Sequence, residues 1–265
     1  MKLDGKVIWV TGASSGIGEA LVYQLAKKNC KIILSARRVQ ELERVKNQAQ
    51  LNDNQCLILQ LDMEKPETFN FAFEQVLQKF SYLDVLILNA GISQRSLAKD
   101  TLLEVDKKLI NVNFIGTIAL AKTVIPHFLQ RKQGCFAVVT SVTGLYATPW
   151  RSSYAASKHA LHGFFDALRA ELHDENIQVT IIAPGFVRTN ISLNALTADG
   201  TPLNQMDEGQ AKGISAEKCA RDIIKGIEKN KNLVLTGGFK EILGVYLKRF
   251  FPGLFAKLIR KLKVR

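Results

Sequence analysis

Short apolar segments alternate with longer amphipathic segments along most of this chain, and that alternation limits its possible folds more than any other feature. The apolar segments, in order, are KVIWVTG, KIILSA, QCLILQLD, LDVLILNAG, GCFAVVTSV, IQVTIIAPG and NLVLTG. Strands that are apolar on both sides are typical of a parallel sheet that is covered on both faces. Helical patterns lie between them, at residues 17–28, 39–50, 66–80, 101–131, 152–175 and 215–230. We therefore predict an α/β fold, with a doubly wound seven-stranded parallel sheet and helices on both faces.

The length and composition of the chain fit one domain. It has 265 residues, of which 47% are hydrophobic, so it can bury a full core. We predict a single domain over residues 1–238 and a basic, amphipathic tail over residues 239–265. Residues 188–214 are rich in Asn, Thr, Asp and Gly and show little periodicity. Connections of this length are usually lids or binding segments, so we predict that residues 188–214 form a substrate lid.

The chain shows no targeting segment and no metal-binding pattern. Its first residues, MKLDGKVIWVTG, enter a strand directly and lack the pattern of a secretory signal. No apolar run approaches the roughly 18 residues that suggest a membrane-spanning helix. We therefore expect a cytoplasmic protein. The four cysteines and four histidines lack metal-ligand spacing, so we expect free, mostly buried thiols and no metal site.

The net charge of +12 is concentrated in the tail, where Lys240 to Arg265 include eight basic residues and one acidic residue. The rest of the chain is only mildly basic, and we expect no nucleic acid partner. On a helical projection, apolar residues fill one arc: Leu254, Phe255, Leu258, Ile259 and Leu262. Basic residues fill the opposite arc: Lys257, Arg260, Lys261 and Lys263. The pattern fits peripheral contact with an anionic membrane, and it fits equally an apolar face that docks on the body of the protein or on a second copy.

A glycine-rich turn, TGASSGIG, follows the first strand and precedes a helical pattern. Glycines allow a close backbone approach to a pyrophosphate, and the helix N-terminus supplies free N–H groups. Such a turn can also be only a tight connection, but its position in the first βα unit favours cofactor binding. The predicted contacts are Gly12, Ser14, Ser15, Gly16, Ile17 and Gly18.

The end of the second strand predicts which dinucleotide binds. An NAD-selective site usually has an acidic residue there, to hold the adenosine ribose, whereas this chain has Ala36 followed by Arg37 and Arg38. The two arginines can pair with a 2′-phosphate, although they could also merely solvate the next helix. We therefore predict NADP(H).

Three further motifs occur in a fixed order: Asn89-Ala90-Gly91 after the fourth strand, Ser141 thirteen positions before Tyr154 in YAASK, and Pro184-Gly185 after the sixth strand. With the glycine-rich turn, they make the chain resemble the short-chain dehydrogenase/reductase family from its first strand to about residue 240. The tail and the SARR segment resemble the 11β-hydroxysteroid dehydrogenase-like or member-seven-like subgroup. The resemblance implies a single-domain Rossmann fold and an oxidoreductase.

Tyr154 and Lys158 lie four residues apart in a helical pattern and so share one face. A tyrosine has a pKa of about 10, which a neighbouring ammonium lowers, so Lys158 is expected to make Tyr154 a general acid and base. Ser141, at a strand end, is predicted to hold the substrate oxygen against Tyr154.

The resemblance implies further roles. Asn113 matches the residue that completes a catalytic tetrad, with Asn111 as the competing candidate, and Lys158 also binds the nicotinamide ribose. Asp62 would reach the adenine amino group, or it is an ordinary strand-end cap. Other cofactor contacts implied by the resemblance are Asn89, Ala90, Gly91, Pro184, Gly185, Val187 and Thr189.

The function predicted from these residues is hydride transfer between NADP(H) and a carbonyl or secondary alcohol, with a lipophilic small molecule as substrate. Two alternatives are a 3-oxoacyl-[acyl-carrier-protein] reductase and a non-catalytic NADP(H)-binding sensor or scaffold. By resemblance, helices 101–131 and 152–175 form a two-fold interface, so we expect a homodimer or homotetramer.

Overall fold

A computed structural model of the chain describes residues 1–260. Seven parallel strands form one sheet, and each corresponds to one of the apolar segments of the sequence. They are β1 Val7–Thr11, β2 Lys31–Ala36, β3 Cys56–Gln60, β4 Val85–Leu88, β5 Gly134–Val139, β6 Ile177–Pro184 and β9 Leu233–Thr236. Their order in the sheet is β3-β2-β1-β4-β5-β6-β9, so the predicted doubly wound, seven-stranded parallel sheet is confirmed.

Helices cover both faces of this sheet, and they separate its core into two clusters. Their bounds are α1 Gly16–Ala26, α2 Val39–Gln48, α3 Phe69–Phe80, α4 Leu103–Ile110, α5 Gly116–Arg131, α6 Ser152–Glu171 and α8 Ala216–Glu228. Side chains of α1, α2 and α8 pack in one cluster with alternate strand residues such as Val10 and Leu34. Those of α3, α5 and α6 pack on the other face with residues such as Trp9 and Phe136. Successive strand residues point to opposite faces, which is why the strands are largely apolar on both sides.

The predicted helix 101–131 is continuous from Leu103 to Arg131, but it contains a π-helical turn at Asn111–Ile115. Its 29 residues are long and apolar enough to cross a membrane by length and composition. This corrects our statement that the sequence holds no such run. The helix packs in the core through Leu120, Val124 and Phe128, which are fully buried, and so it serves here as a sheet-covering helix.

The segment 188–214 runs from the end of the short strand β7 Val187–Arg188 to the start of β8 Ile214–Ser215, and these two strands pair with each other. Between these two strands, it contains one short helix, α7 Glu208–Ala211, and otherwise turns and bridges. This irregular conformation agrees with the weak periodicity of the sequence. Because β7 pairs with β8, both ends of the segment are held together beside the end of β6.

The tail forms two helices, α9 Phe239–Phe250 and α10 Pro252–Ile259, which meet at Pro252 as the sequence suggests. Phe255 packs on the body of the protein, where its ring lies edge to face with the Tyr146 ring, with 5.3 Å between the ring centroids. The apolar arc of α10 is therefore divided between two environments: Phe255 is buried against the body of the protein, whereas Leu254 and Leu258 are each half exposed. Lys261, Leu262, Lys263 and Arg265 lie outside the described residues.

Candidate active site

The turn between β1 and α1 depends on glycine at two positions. Gly12 has a φ of +65°, and a Cβ there would come within 2.9 Å of the Ala90 Cα. A Cβ on Gly18 would collide with the Gly12 carbonyl oxygen. These residues let β1, α1 and the end of β4 approach one another closely and leave backbone N–H groups at the start of α1. The turn therefore forms a concave surface that suits a pyrophosphate.

Arg37 and Arg38 follow β2 at the same edge of the sheet, and both are exposed. Within residues 1–260, neither forms an ion pair with an acidic side chain. The neighbouring Arg44, in contrast, is engaged by Glu19 at 2.7 Å and Glu41 at 2.8 Å. Two guanidinium groups without an ion-pair partner among the described residues therefore lie at the end of β2, where the adenosine of a dinucleotide is expected. Such groups fit a 2′-phosphate.

A cleft of about 550 Å3 runs along the carboxyl ends of the strands. Nearly all residues predicted from the sequence to contact cofactor or substrate line it: Gly12, Ser14, Ser15, Gly16, Ile17, Arg37, Arg38, Asp62, Asn89, Ala90, Gly91, Ser141, Tyr154, Lys158, Pro184, Gly185, Val187 and Thr189. The two that do not line it are Gly18, which supports the turn from behind, and Asn113. The fold therefore brings together residues that are far apart in the sequence, as expected at the strand ends of a doubly wound sheet.

Tyr154 lies in the first turn of α6, 7% exposed, among Val105, Leu109 and Leu196. Burial raises the pKa of its phenol above the usual value, while the Arg151 charge, a hydrogen bond from Ser141 and the Arg95 charge oppose that rise. The net shift is opposite to the one expected from the sequence, because burial outweighs these effects. The phenol is therefore held protonated at neutral pH.

Lys158 is 4% exposed, and its Nζ donates to the Val139 carbonyl oxygen at 3.0 Å. Burial lowers the pKa of this ammonium to about 8. The Nζ lies 5.8 Å from the centre of the Tyr154 ring, and the arginines, instead of this ammonium, are the cations that act on the phenol. The predicted effect of Lys158 on the Tyr154 pKa is thus not what the structure shows, although the two side chains share one helix face as expected.

Asn113 lies on the π-helical turn and is 1% exposed. Its Nδ2 donates to the Ile92 carbonyl oxygen and to Ser157 Oγ, both at 3.0 Å, and its Oδ1 accepts from the Ile92 N–H at 2.8 Å. A Cβ on Gly91 would lie 3.1 Å from this Oδ1 and 3.5 Å from the Lys158 Nζ. Asn113 therefore fixes the segment after β4 behind the Lys158 ammonium. Asn111, the competing candidate, is exposed.

The other predicted contacts have identifiable structural partners. Asn89 Nδ2 donates to the Thr11 carbonyl oxygen at 3.0 Å and so joins the ends of β4 and β1. Asp62 Oδ1 accepts from the Glu64 N–H at 3.1 Å, as a strand-end cap does, and the residue also lines the cleft. Thr189 Oγ1 accepts from Gln210 Nε2 at 3.1 Å.

Four polar residues at the substrate end of the cleft were not found from the sequence. Arg95, Arg151, Asp207 and Gln210 are each less than a tenth exposed. Gln210 holds the segment 188–214 to β7 through the Val187 carbonyl oxygen and Thr189, and Asp207 pairs with both arginines. No local motif connects these positions, because Arg95 and Asp207 are 112 residues apart.

Metal binding has no support in the part of the chain that the structure covers, where no group of three or more metal-ligating side chains occurs. His162, one of the four histidines, lies close to Thr140 Oγ1 at 3.0 Å. Burial lowers the pKa of His162 to about 4, so it packs as a neutral imidazole.

Comparison with known proteins identifies relatives over nearly the whole chain. A model of the family described as short chain dehydrogenase matches residues 6–199. The chain is 39% identical to dehydrogenase/reductase SDR family member 7B of Mus musculus over 261 residues, which are 97% of this chain and 81% of that protein. It is 41% identical to SDR family member 7 of Homo sapiens over 256 residues, which are 95% of this chain and 76% of that protein.

Solved structures agree with the fold. A short chain dehydrogenase/reductase from Burkholderia phymatum, in complex with NAD, has a TM-score of 0.84 at 20% identity, with 96% of each chain covered. An alcohol dehydrogenase from Thermococcus sibiricus, complexed with 5-hydroxy-NADP, has a TM-score of 0.75 at 23% identity and covers 88% of this chain. At these identities the likeness concerns the fold alone.

Proposed function

Because the chain belongs to the short chain dehydrogenase family of oxidoreductases, in the subgroup of SDR family members 7 and 7B, we propose that it transfers a hydride between NADP(H) and a carbonyl or secondary alcohol. The observation that carries this proposal is the make-up of one cleft. Arg37 and Arg38, which have no ion-pair partner among the described residues, line one end of this cleft. Ser141, Tyr154 and Lys158 line the other end. A phosphate-binding end and a proton-transfer end are both needed for this reaction.

The residues of the chain supply binding and proton transfer, and the nicotinamide, when bound, supplies or accepts the hydride. Ser141 and Tyr154 hydroxyl groups hold the substrate oxygen at the end of β5. In reduction, the Tyr154 hydroxyl donates its proton to that oxygen, and its raised pKa keeps the proton available at neutral pH. Lys158 binds the nicotinamide ribose, and Asn113 holds the adjoining backbone in position.

The cofactor test compares NADPH and NADH binding in the wild type and in the Arg37→Ala/Arg38→Ala variant. Hydrogen bonds to charged groups contribute about 1.5–3 kcal/mol each, and exposure keeps both near the lower limit, so the variant should lose about 100-fold in NADPH affinity. NADH affinity should change little. Lys229→Ala/Lys231→Ala removes the same charge from exposed residues at the opposite edge of the sheet and should leave both affinities unchanged. Equal affinity of the wild type for the two cofactors would disprove NADP(H) selectivity.

Turnover distinguishes the alternatives. A reductase of free carbonyl compounds should oxidise NADPH with a panel of hydrophobic ketones and aldehydes. A 3-oxoacyl-[acyl-carrier-protein] reductase should instead prefer acyl-carrier thioesters. A non-catalytic sensor or scaffold should bind NADPH without turnover of any of them, and a sensor has no need of the buried Tyr154 and Lys158 pair.

The tail supports peripheral contact with an anionic membrane. The large exposed apolar side chains of α9, α10 and the residue between them are Phe239, Leu243, Tyr246, Phe250, Phe251, Leu254 and Leu258. Exposed basic residues lie among them, including Lys248, Arg249, Lys257 and Arg260. Since Phe255 already anchors α10 on the body, these outward side chains are left for another surface, and an anionic bilayer matches both their apolarity and their charge.

Liposome co-sedimentation tests the membrane proposal. The wild type should bind vesicles that contain phosphatidylserine, and binding should weaken with salt because each basic residue contributes about 1 kcal/mol. Replacing Lys257, Arg260, Lys261 and Lys263 by glutamine should reduce binding and leave NADPH affinity unchanged. Truncation after Gly238 tests docking: loss of folding with no lipid binding by the intact protein would contradict the membrane proposal.

A second copy of the chain is the other proposed partner. Apolar side chains lie on the outer side of this region: Ile115, in the π-helical turn before α5, is 41% exposed, and the partly buried Phe114 and Phe164 rings lie edge to face at 6.4 Å between centroids. A Cβ on Gly163 would have no neighbour within 4 Å, so another helix can approach closely there. We therefore propose a two-fold interface through these helices, as in a homodimer or homotetramer.

A further inference from the structure

Three charged side chains form a buried cluster at the substrate end of the cleft. Asp207 Oδ2 accepts hydrogen bonds from Arg95 Nε at 2.7 Å and from Arg151 Nη2 at 3.3 Å, and it also contacts Arg95 Nη2. The side chains of Arg95 and Asp207 are 4% exposed and that of Arg151 is 8% exposed. Two guanidinium groups therefore share one carboxylate in a nearly dry environment.

The two arginines are not equally satisfied. Arg95 uses its remaining donor group on Ser93 Oγ at 2.8 Å and on the Gln94 carbonyl oxygen at 2.6 Å. Among the described residues, the Arg151 guanidinium makes a single hydrogen bond, to Asp207, and its buried Nε has no partner there. Burial and the charge of Arg95 lower the pKa of Arg151 to about 10, and Asp207 is the only carboxylate among the groups that act on it within the described chain. Arg151 is thus a buried cation without a full counter-charge.

Pairing with the lid does not explain Arg151. Arg95 alone already pairs with Asp207 through two of its nitrogens, so a second guanidinium adds uncompensated charge to the cluster. A buried charge that is incompletely paired destabilises the fold. A charged group that is strongly perturbed by burial and by a neighbouring charge, and that lies in a cleft, is a candidate functional group.

The position of Arg151 is that of a substrate-binding group. It precedes Tyr154 by three residues at the start of α6, and both arginines line the same cleft as Tyr154 and Ser141. The Arg151 guanidinium stacks on the Phe186 ring at 5.1 Å, which fixes its orientation. Apolar lid side chains, including Ile191, Leu196 and Pro202, line the cleft as well. A substrate here meets these apolar side chains and the under-neutralised Arg151 guanidinium.

We propose that Arg151, held by Asp207 and supported by Arg95, binds an anionic group of the substrate. The substrate class is then a carbonyl compound with an apolar body and a carboxylate or phosphate group at some distance from the carbonyl. Guanidinium groups recognise these oxyanions by directed hydrogen bonds. The inference rests on the proposed hydride transfer and specifies what that site accepts.

Matched substrate pairs test this inference. NADPH oxidation is measured with para-acetylbenzoate and the longer para-acetylphenylbutyrate, each against its methyl ester, so that only the charge differs within a pair. For at least one pair, wild-type kcat/KM should favour the acid by about 10-fold or more, as one charged hydrogen bond predicts. Arg151→Met should abolish this preference, because it should raise the acid's KM while the ester's KM changes little; any effect of the lost charge on the Tyr154 phenol is shared by acid and ester and cancels in their ratio.

Two further variants serve as controls. Arg151→Lys keeps the charge and should retain part of the preference, which protects the test if the methionine variant folds poorly. Lys107→Met removes one charge from an exposed residue outside the cleft wall and should retain the full preference. Phosphate-bearing ketones, tested in the same variants, distinguish a phosphate from a carboxylate site.

The outcomes separate this inference from the proposed function. Equal or better use of the esters by the wild type would disprove the anion site. An equal loss of kcat/KM with acid and ester in Arg151→Met would also disprove the anion site, because Arg151 would then act on Tyr154 and not on the charge of the substrate. If no compound is turned over, the proposed reaction fails, and calorimetry of para-acetylbenzoate binding to the NADP⁺-loaded protein then tests the anion site by itself. Binding to the wild type that is lost in Arg151→Met supports the site. Binding that is unchanged in Arg151→Met, or no binding to the wild type, overturns it.

Discussion

Replacing the Tyr154 hydroxyl tests the proposed proton transfer most directly. Tyr154→Phe keeps the ring that packs among Val105, Leu109 and Leu196, and it removes only the group that donates the proton. A positioned general acid contributes about 100-fold to 10,000-fold to a rate, which corresponds to about 3–5 kcal/mol in the barrier. The variant should therefore lose turnover by at least about 100-fold.

The stability change should be small by comparison. One hydrogen bond contributes about 0.5–1.5 kcal/mol net, and the phenol also loses a burial penalty when its hydroxyl is removed. For a chain of this size, such a change shifts the melting temperature by no more than about 4 °C. NADPH affinity should be unchanged, since the ribose and phosphate contacts come from other residues.

A matched control is available in Tyr146. It too is 7% exposed, and burial raises its pKa to about 12, but its ring faces Phe255 and does not line the cleft. Tyr146→Phe should retain wild-type turnover. The measurements are kcat/KM for a ketone that the wild type reduces, fluorescence titration of NADPH and thermal melting. Tyr154→Phe turnover within tenfold of the wild type, or an equal loss in Tyr146→Phe, would refute the assignment of Tyr154 as the acid.

Lys158, the buried thiols and the helix surfaces each lead to a further expected result. Because burial lowers the Lys158 pKa to about 8, NADPH affinity should fall as pH rises through about 8, and titrations in Lys158→Met should show weak binding without this dependence. Burial raises the pKa of all four cysteine thiols from 9.0 to about 11 or 12. The stability that this contributes is present below about pH 9 and is lost as pH rises toward about 12, so the free energy of unfolding in urea should decline over that range; a constant value would contradict the burial of the thiols. Light scattering should find at least a dimer, and a monomer at all concentrations would exclude the interface through α5 and α6.

The fold could be predicted from the sequence because its signals are local. Each strand of the sheet corresponds to an apolar segment, and the helices agree within a few residues at their ends. The last part of the predicted helix 152–175 is a short 3-10 turn at His173–Glu175, following α6. A π-helical turn was missed within the long helix, since hydrophobic periodicity does not detect one additional residue in a turn. That turn holds Asn113 in its buried position.

The electrostatic prediction for Tyr154 failed for a related reason. Spacing along α6 shows that Tyr154 and Lys158 share a face, but it does not show how deeply either is buried or which other charges are near. Burial shifts the Tyr154 pKa upward and the Lys158 pKa downward. The nearest effective cations, Arg151 and Arg95, come from the start of α6 and from the segment after β4.

The sequence by itself determined the element order, the parallel sheet and the residues that gather at its carboxyl edge. All of these follow from local patterns and from the rule that parallel strands end at the same edge. Only the tertiary structure decided how the tail divides between docking and exposure, and which charges meet at the substrate end. Arg95, Arg151 and Asp207 lie on three separate connections, and Arg95 and Asp207 are 112 residues apart. Their meeting depends on how residues 188–214 fold back over the sheet, a long-range arrangement that no local pattern encodes.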